Sequence, residues 1–241
     1  MNLIKGFIVF TILILTFLLI VAFKRNDNFI HKDLIIDVDS SFLDKSSVRD
    51  FLLKENLLDS SKINYNNLES KFLSNSHVKD VTIYKDLLDN LNIRIEQYQP
   101  IARIVSGMLE GNYINKEGHI FPTSQKFSKR VILLHINDKS IDEKTILSSD
   151  FGNNLVEMIK YINDSEFFSK IISELEINQN KNIIIHPQFS KQKIIFGYPD
   201  NLEEKFEKIN IFYKKIIPAK GWNTYRTVNV KFKNQIVCDK S

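Results

Sequence analysis

Residues 91–103 read Leu91-Asn92-Ile93-Arg94-Ile95-Glu96-Gln97-Tyr98-Gln99-Pro100-Ile101-Ala102-Arg103, and this stretch decides how the chain divides. Leu91, Ile93 and Ile95 share one face of an extended segment, with Asn92, Arg94 and Glu96 opposite, which is the period-two pattern of a half-buried strand. Pro100 then interrupts it, because proline has no N–H to give a sheet ladder and holds the preceding residue extended. A boundary is therefore expected at 99/100, with one module on each side.

Working back from it, Val81 and Ile83 share one face of a partner strand, and the turn between the two strands falls in 85–90. Asp44 is placed to cap a helix bearing Val48, Phe51 and Leu52, and a second helix carries Leu68, Phe72 and Leu73. Leu34–Val38 is a further short strand. The order strand, helix, helix, strand, strand predicts a small two-layer α+β domain with its helices on one sheet face.

Working forward, the chain becomes mainly strand, with candidates at 101–105, 112–114, 131–135, 171–177, 183–185 and 193–196. Two helices interrupt them. Asp150 caps one with Leu155, Ile159 and Ile162. Asp200 caps the other, with Glu203 completing a capping box. Leu202, Phe206, Ile209, Tyr213 and Ile216 repeat along this second helix at helical spacing, Pro218 is expected to stop it, and Glu204 and Lys208 form an i,i+4 pair on the opposite, solvated face. Val228, Val230 and Phe232 alternate with Thr227, Asn229 and Lys231 in a closing hairpin. Lys233-Asn234 is read as a two-residue turn, which sets Val230 opposite Val237.

The amino-terminal segment Gly6 to Phe23 holds 18 residues without a charge, enough for roughly 27 Å of helix. A cleaved signal peptide has a shorter apolar stretch and a small-residue cleavage site, whereas this one ends in Ala22-Phe23-Lys24-Arg25. The segment is therefore expected to be a retained transmembrane helix. Lys5 on one side and Lys24 and Arg25 on the other leave orientation open by charge; an N-terminus in the cytoplasm is adopted from the short tail before a long exported chain. The organisation expected is a 1–5 cytoplasmic tail, a 6–23 transmembrane helix, a 24–99 first domain with a short linker, and a 100–241 β domain.

The chain of 241 residues carries a net charge of +4, with 26% charged and 43% hydrophobic residues, the balance of a folded protein. Its basic residues are spread out, with no aromatic-interleaved run for nucleic acid. A single cysteine, Cys238, excludes an internal disulfide and a cysteine zinc site. The five histidines never stand at ligand spacing, and no G-x-S-x-G, P-loop or G-x-G-x-x-G is present. Acidic pairs such as Glu203-Glu204 and Asp142-Glu143 read as solvated surface. No catalytic, cofactor or metal site is expected, nor a small-molecule substrate, and the function classes left are binding and scaffolding.

The end of the chain points the same way. Gln235-Ile236-Val237-Cys238 lacks the charges, proline or bulges that blunt natural sheet edges. It is either an inner strand already satisfied on both sides or an edge open to strand addition by a partner.

Three segments together resemble the FtsQ/DivIB family of bacterial cell-division proteins, over essentially the whole chain. Leu68-Glu69 through Asn75-Ser76-His77-Val78-Lys79-Asp80-Val81 is similar to that family's POTRA segment. Residues 91–103 resemble its strand-proline signature, and Tyr113-Ile114-Asn115-Lys116-Glu117-Gly118-His119-Ile120-Phe121-Pro122 its turn. Ser76 stands where the family usually has proline, Asp80 where it has alanine, and Asn115 where aspartate is common. The resemblance implies a short tail, one span, a POTRA domain and a β domain, located at the septum in the inner membrane with its bulk in the periplasm. It implies a non-enzymatic scaffold that recruits FtsB- and FtsL-like coiled-coil proteins and so influences septal peptidoglycan synthesis. It also implies docking on Thr227, Val228, Asn229, Val230, Lys231 and Phe232 and on Gln235, Ile236 and Val237, with Trp222 and Tyr225 beside them. A secondary surface for other division proteins falls at Val78, Val81 and Tyr84. The alternative is an anchored POTRA chaperone or transport component handling exported polypeptides; an anchored cell-wall hydrolase is the enzyme alternative.

Overall fold

The computed structural model describes residues 12–21, 33–55, 63–106, 110–137, 148–222 and 224–240, which divide into two units, Met1–Gln97 and Tyr98–Ser241. Both mix helix and strand, so the fold is α+β.

The membrane-spanning helix expected over Gly6 to Phe23 is corrected. The described part of helix α1, residues 12–21, has 10 residues. That part is about 15 Å long, against a bilayer core of about 30 Å. No helix among the described residues is long and apolar enough to cross a membrane. The remainder of 6–23 and the 1–5 tail lie outside the described residues.

In the first unit, β1 (Leu34–Val38) runs parallel to β3 (Leu91–Gln97), and β2 (Val78–Lys85) runs antiparallel to it, giving the order β1-β3-β2. Helices α2 (Lys45–Lys54) and α3 (Tyr65–Leu73) start where Asp44 and Asn64 accept N–H groups of the first turn. Val48, Leu52, Leu68 and Phe72 pack against Ile36, Val81, Ile83, Ile93 and Ile95. Leu73, expected on the apolar face, is instead 48% exposed. One residue beyond Phe72 turns it about 100° around the helix.

The second unit is a nine-stranded sheet in the order β12-β11-β10-β9-β8-β7-β4-β5-β6. Its strands are β4 (Pro100–Ile104), β5 (Asn112–Asn115), β6 (Ile120–Pro122), β7 (Ile132–Ile136), β8 (Ile172–Ile177), β9 (Ile183–Pro187), β10 (Lys193–Gly197), β11 (Tyr225–Asn229) and β12 (Val237–Lys240). The strand β6, absent from the sequence reading, is only three residues long. It is placed by Asn115, whose Oδ1 accepts the N–H of Glu117 at 3.0 Å and of His119 at 2.8 Å, while Gly118 turns at φ 79. An aspartate there would accept the same bonds.

Parallel neighbours need a crossover. Helices α4 (Asp150–Asp164) and α5 (Phe168–Ile171) connect β7 to β8, and α6 (Leu202–Ile211) connects β10 to β11. Leu155, Ile159, Ile162, Phe206 and Ile209 share one core with Leu134, Leu175, Ile185, Phe196 and Val228. Pro218 does not stop α6: a π-helical turn over Phe212–Ile216 and a final turn Ile217–Lys220 carry it on to Gly221, at φ 92. The wide π turn takes up the missing N–H and the bulk of the proline ring.

Candidate functional site

The site starts from a strand with one neighbour. β12 stands at the end of the nine-stranded order, paired on one side with β11, and its other edge meets no strand among the described residues. Of its four residues only Cys238 is part-buried. Ile236, just ahead of the strand, and Cys238 pack against the core, and these contacts settle which face of β12 lies inward.

The expected two-residue turn is corrected. Asn229, not Val230, lies opposite Val237, and Val228 lies opposite Cys238. The connection spans 230–236 because Val230 leaves the pair: its N–H donates to the Ile195 carbonyl at 3.0 Å, and its side chain is fully buried. Lys231 N–H then bonds Asn229 Oδ1 at 3.1 Å, and Asn234 takes a left-handed conformation at φ 57.

Helix α6 holds this connection. Lys208, expected on a solvated face, is 7% exposed, and its ammonium donates to the carbonyls of Val230 at 3.3 Å and Phe232 at 2.6 Å. Glu204 lies 2.7 Å from Lys208 and accepts the Asn234 N–H at 3.2 Å. The Lys208 bond first, and the Asn234 N–H next, hold the Glu204 carboxyl below the usual carboxylate range. Between α6 and the connection runs a groove of ≈ 460 Å³ bordered by Glu207, Ile211, Gln235 and Ile236.

The start of α6 also differs from expectation. Asn201, not Asp200, occupies the cap position at φ 46, without a side-chain cap bond. Asp200 pairs instead with Lys205, which donates to the Tyr198 carbonyl at 2.7 Å and lies 5.0 Å from the Phe196 ring centre. The sequence reading sets Lys208 on the solvated face and does not single out Lys205; both are buried.

A family model described as FtsQ/DivIB, C-terminal related matches residues 99–239, more than half of the chain. The chain belongs to this FtsQ/DivIB-related family. No curated protein matches it. Members are non-enzymatic division proteins, and the domain fits a cell-division scaffold.

Within this FtsQ/DivIB-related domain, the residues singled out from sequence separate by exposure. Tyr225, Thr227, Val228 and Asn229 lie in β11, where Val228 is fully buried. Val230, Lys231, Phe232, Gln235 and Ile236 lie in the connection, and Phe232 is 41% exposed. Val237 opens β12 at 40% exposure. Trp222, 55% exposed, lines a groove with Tyr225, Arg226 and Thr227 of β11, its carbonyl taking a 2.6 Å bond from Gln192 Nε2. Tyr225 pairs with Lys240 at the far end of β12. The edge is not free of charge, as the run 235–238 suggested, because the strand starts two residues later and includes Asp239 and Lys240.

In the first unit, Val78 and Val81 are buried beneath the helices, and Tyr84 is 46% exposed on the outer strand β2. On the second sheet, His186 Nε2 lies 2.8 Å from Glu176, and His135 lies 3.4 Å from Glu174. No group of three such residues could hold a metal among the described residues. Burial first, then Asp239, pushes the Cys238 thiol up, away from a nucleophilic thiolate.

Proposed function

We propose that this chain is a non-enzymatic divisome scaffold acting at the septum, which recruits FtsB- and FtsL-like coiled-coil proteins and through them influences septal peptidoglycan synthesis. The partner adds an extended segment to the outer edge of β12. Its main chain pairs with Val237, Cys238, Asp239 and Lys240, while Phe232, Gln235 and Trp222 flank the site. The observation that supports this most directly is the terminal place of β12, with one side unpaired among the described residues. An unpaired ladder of N–H and C=O groups is a template for another strand. Asp239 and Lys240 on that edge favour a partner with complementary charges over indiscriminate strand pairing.

The 24–99 segment serves as a POTRA domain in this reading, supported by the strand-helix-helix-strand-strand order of its described residues. Within the secondary surface at Val78, Val81 and Tyr84, the exposed Tyr84 makes the contact, while Val78 and Val81 are buried in the core of the first unit.

The test is capture of FtsB- and FtsL-like proteins from detergent extracts, by the full chain and by a version ending at Ile236. Capture by the full chain alone is the expected result. Capture by both removes β12 from the interface, and capture by neither removes the scaffold reading.

A further inference from the structure

We propose that Lys208 and Glu204 act together as a positioning clamp that sets where and how β12 is presented, an inference that rests on the docking role of that strand. The β11–β12 connection leaves the sheet ladder at Val230, and the carbonyls of Val230 and Phe232 and the N–H of Asn234 have no partner in the sheet. One helical turn of α6 supplies all three: the Lys208 ammonium serves the two carbonyls and the Glu204 carboxylate serves the N–H. The two side chains are an i,i+4 pair 2.7 Å apart, so each orients the other.

The cost of burying an ammonium identifies the purpose. A leucine or methionine would fill the same place on α6 without desolvating a charge. It would leave two carbonyls under the helix with nothing to accept from. The lysine therefore serves the connection rather than the core. Beyond the clamp, β12 is tied down by its four-residue pairing with β11 and by the contacts of Ile236 and Cys238. An edge strand so lightly held frays easily. A frayed strand must be ordered before it can template a partner, and that ordering is subtracted from affinity. The clamp holds it ordered in advance.

The test compares amide hydrogen exchange along the full chain in the wild type, Lys208→Met and Glu204→Gln, beside capture of the FtsB-like protein. Lys208→Met is expected to speed exchange across residues 230–240 by about tenfold or more and to leave α4 and the β7–β8 pair unchanged. Capture falls by a similar factor. Glu204→Gln, which keeps the acceptor oxygen and loses the charge, gives a smaller change in the same segment and covers the case in which Lys208→Met does not fold. Unchanged exchange over 230–240 in both variants overturns the clamp, as does an equal rise throughout the unit, the mark of general destabilisation. Faster local exchange with capture as strong as the wild type overturns its role in docking. Failure of the wild type itself to capture the FtsB-like protein overturns the docking reading, and exchange still decides the clamp.

Discussion

Lys208 Nζ sits 2.6 Å from the Phe232 carbonyl oxygen, joining the middle of a helix to the loop that precedes the last strand. The same helix turn carries Glu204, which receives the Asn234 N–H. A buried ammonium is tolerated where its donors find acceptors, and here a carboxylate and two carbonyls provide them. The edge of the sheet is thereby tied to its helical layer by polar bonds as well as by packing. Consequences follow for pH, for the loop's neighbours and for the cores of both units.

Glu204 titrates below the ordinary 4.5 because Lys208 and then the Asn234 N–H favour its charged form. A lowered folded value means that its contribution is present in full above the unfolded value and is lost as pH falls through the folded one. The Asn234 amide resonance should therefore titrate with a midpoint below 4.5. A midpoint at or above that value would separate Glu204 from the amide.

Gly197 closes β10 at φ +80, and a Cβ placed there would lie 3.0 Å from Lys231 Cβ. Gly197→Ala combines left-handed strain with a push on the clamped connection. Urea unfolding should show a loss of about 1–2 kcal/mol. An unchanged midpoint would mean that the connection yields freely.

Phe206 is fully buried, with ring centres 4.6 Å from Tyr161, 4.8 Å from Phe168 and 5.1 Å from Phe196. It joins α4, α5, α6 and β10 in one cluster. Phe206→Ala should cost about 3–5 kcal/mol in denaturant unfolding. A loss under about 1 kcal/mol would show that the cluster collapses to refill the space.

Gln97 is 2% exposed at the end of β3. Its Nε2 donates to the carbonyls of Asp39 at 2.5 Å and Leu43 at 3.0 Å, and its Oε1 accepts the Leu43 N–H at 2.7 Å. Gln97→Met leaves three backbone groups without a partner and should cost the first unit about 2 kcal/mol or more. Amide exchange at Leu43 is the readout, and wild-type protection there would contradict the bridge.

Much of the architecture was legible along the chain. Leu91, Ile93 and Ile95 alternate as a half-buried strand must, and Leu155, Ile159 and Ile162 recur as a helix facing one core must, because those periods follow from backbone geometry alone. Leu34–Val38 was readable for the same reason. The three segments that resemble the FtsQ/DivIB family lie across these elements, and the family match covers residues 99–239. The closing strands were placed near the right residues but in the wrong register. Sequence spacing suits a two-residue turn, whereas the bond from Val230 N–H to Ile195 lies between strands more than thirty positions apart.

Sequence by itself determined which residues of the strand Leu91–Gln97 and of the helix Asp150–Asp164 share one face, since those periods rest on neighbours within a few residues. Only the tertiary structure decided that β12 ends the sheet, and that Lys205 and Lys208 turn inward. Each of these depends on what lies beside the residue in space. A lysine's side chain is long enough to reach either solvent or a buried carbonyl, and the spacing of residues along a helix does not distinguish the two.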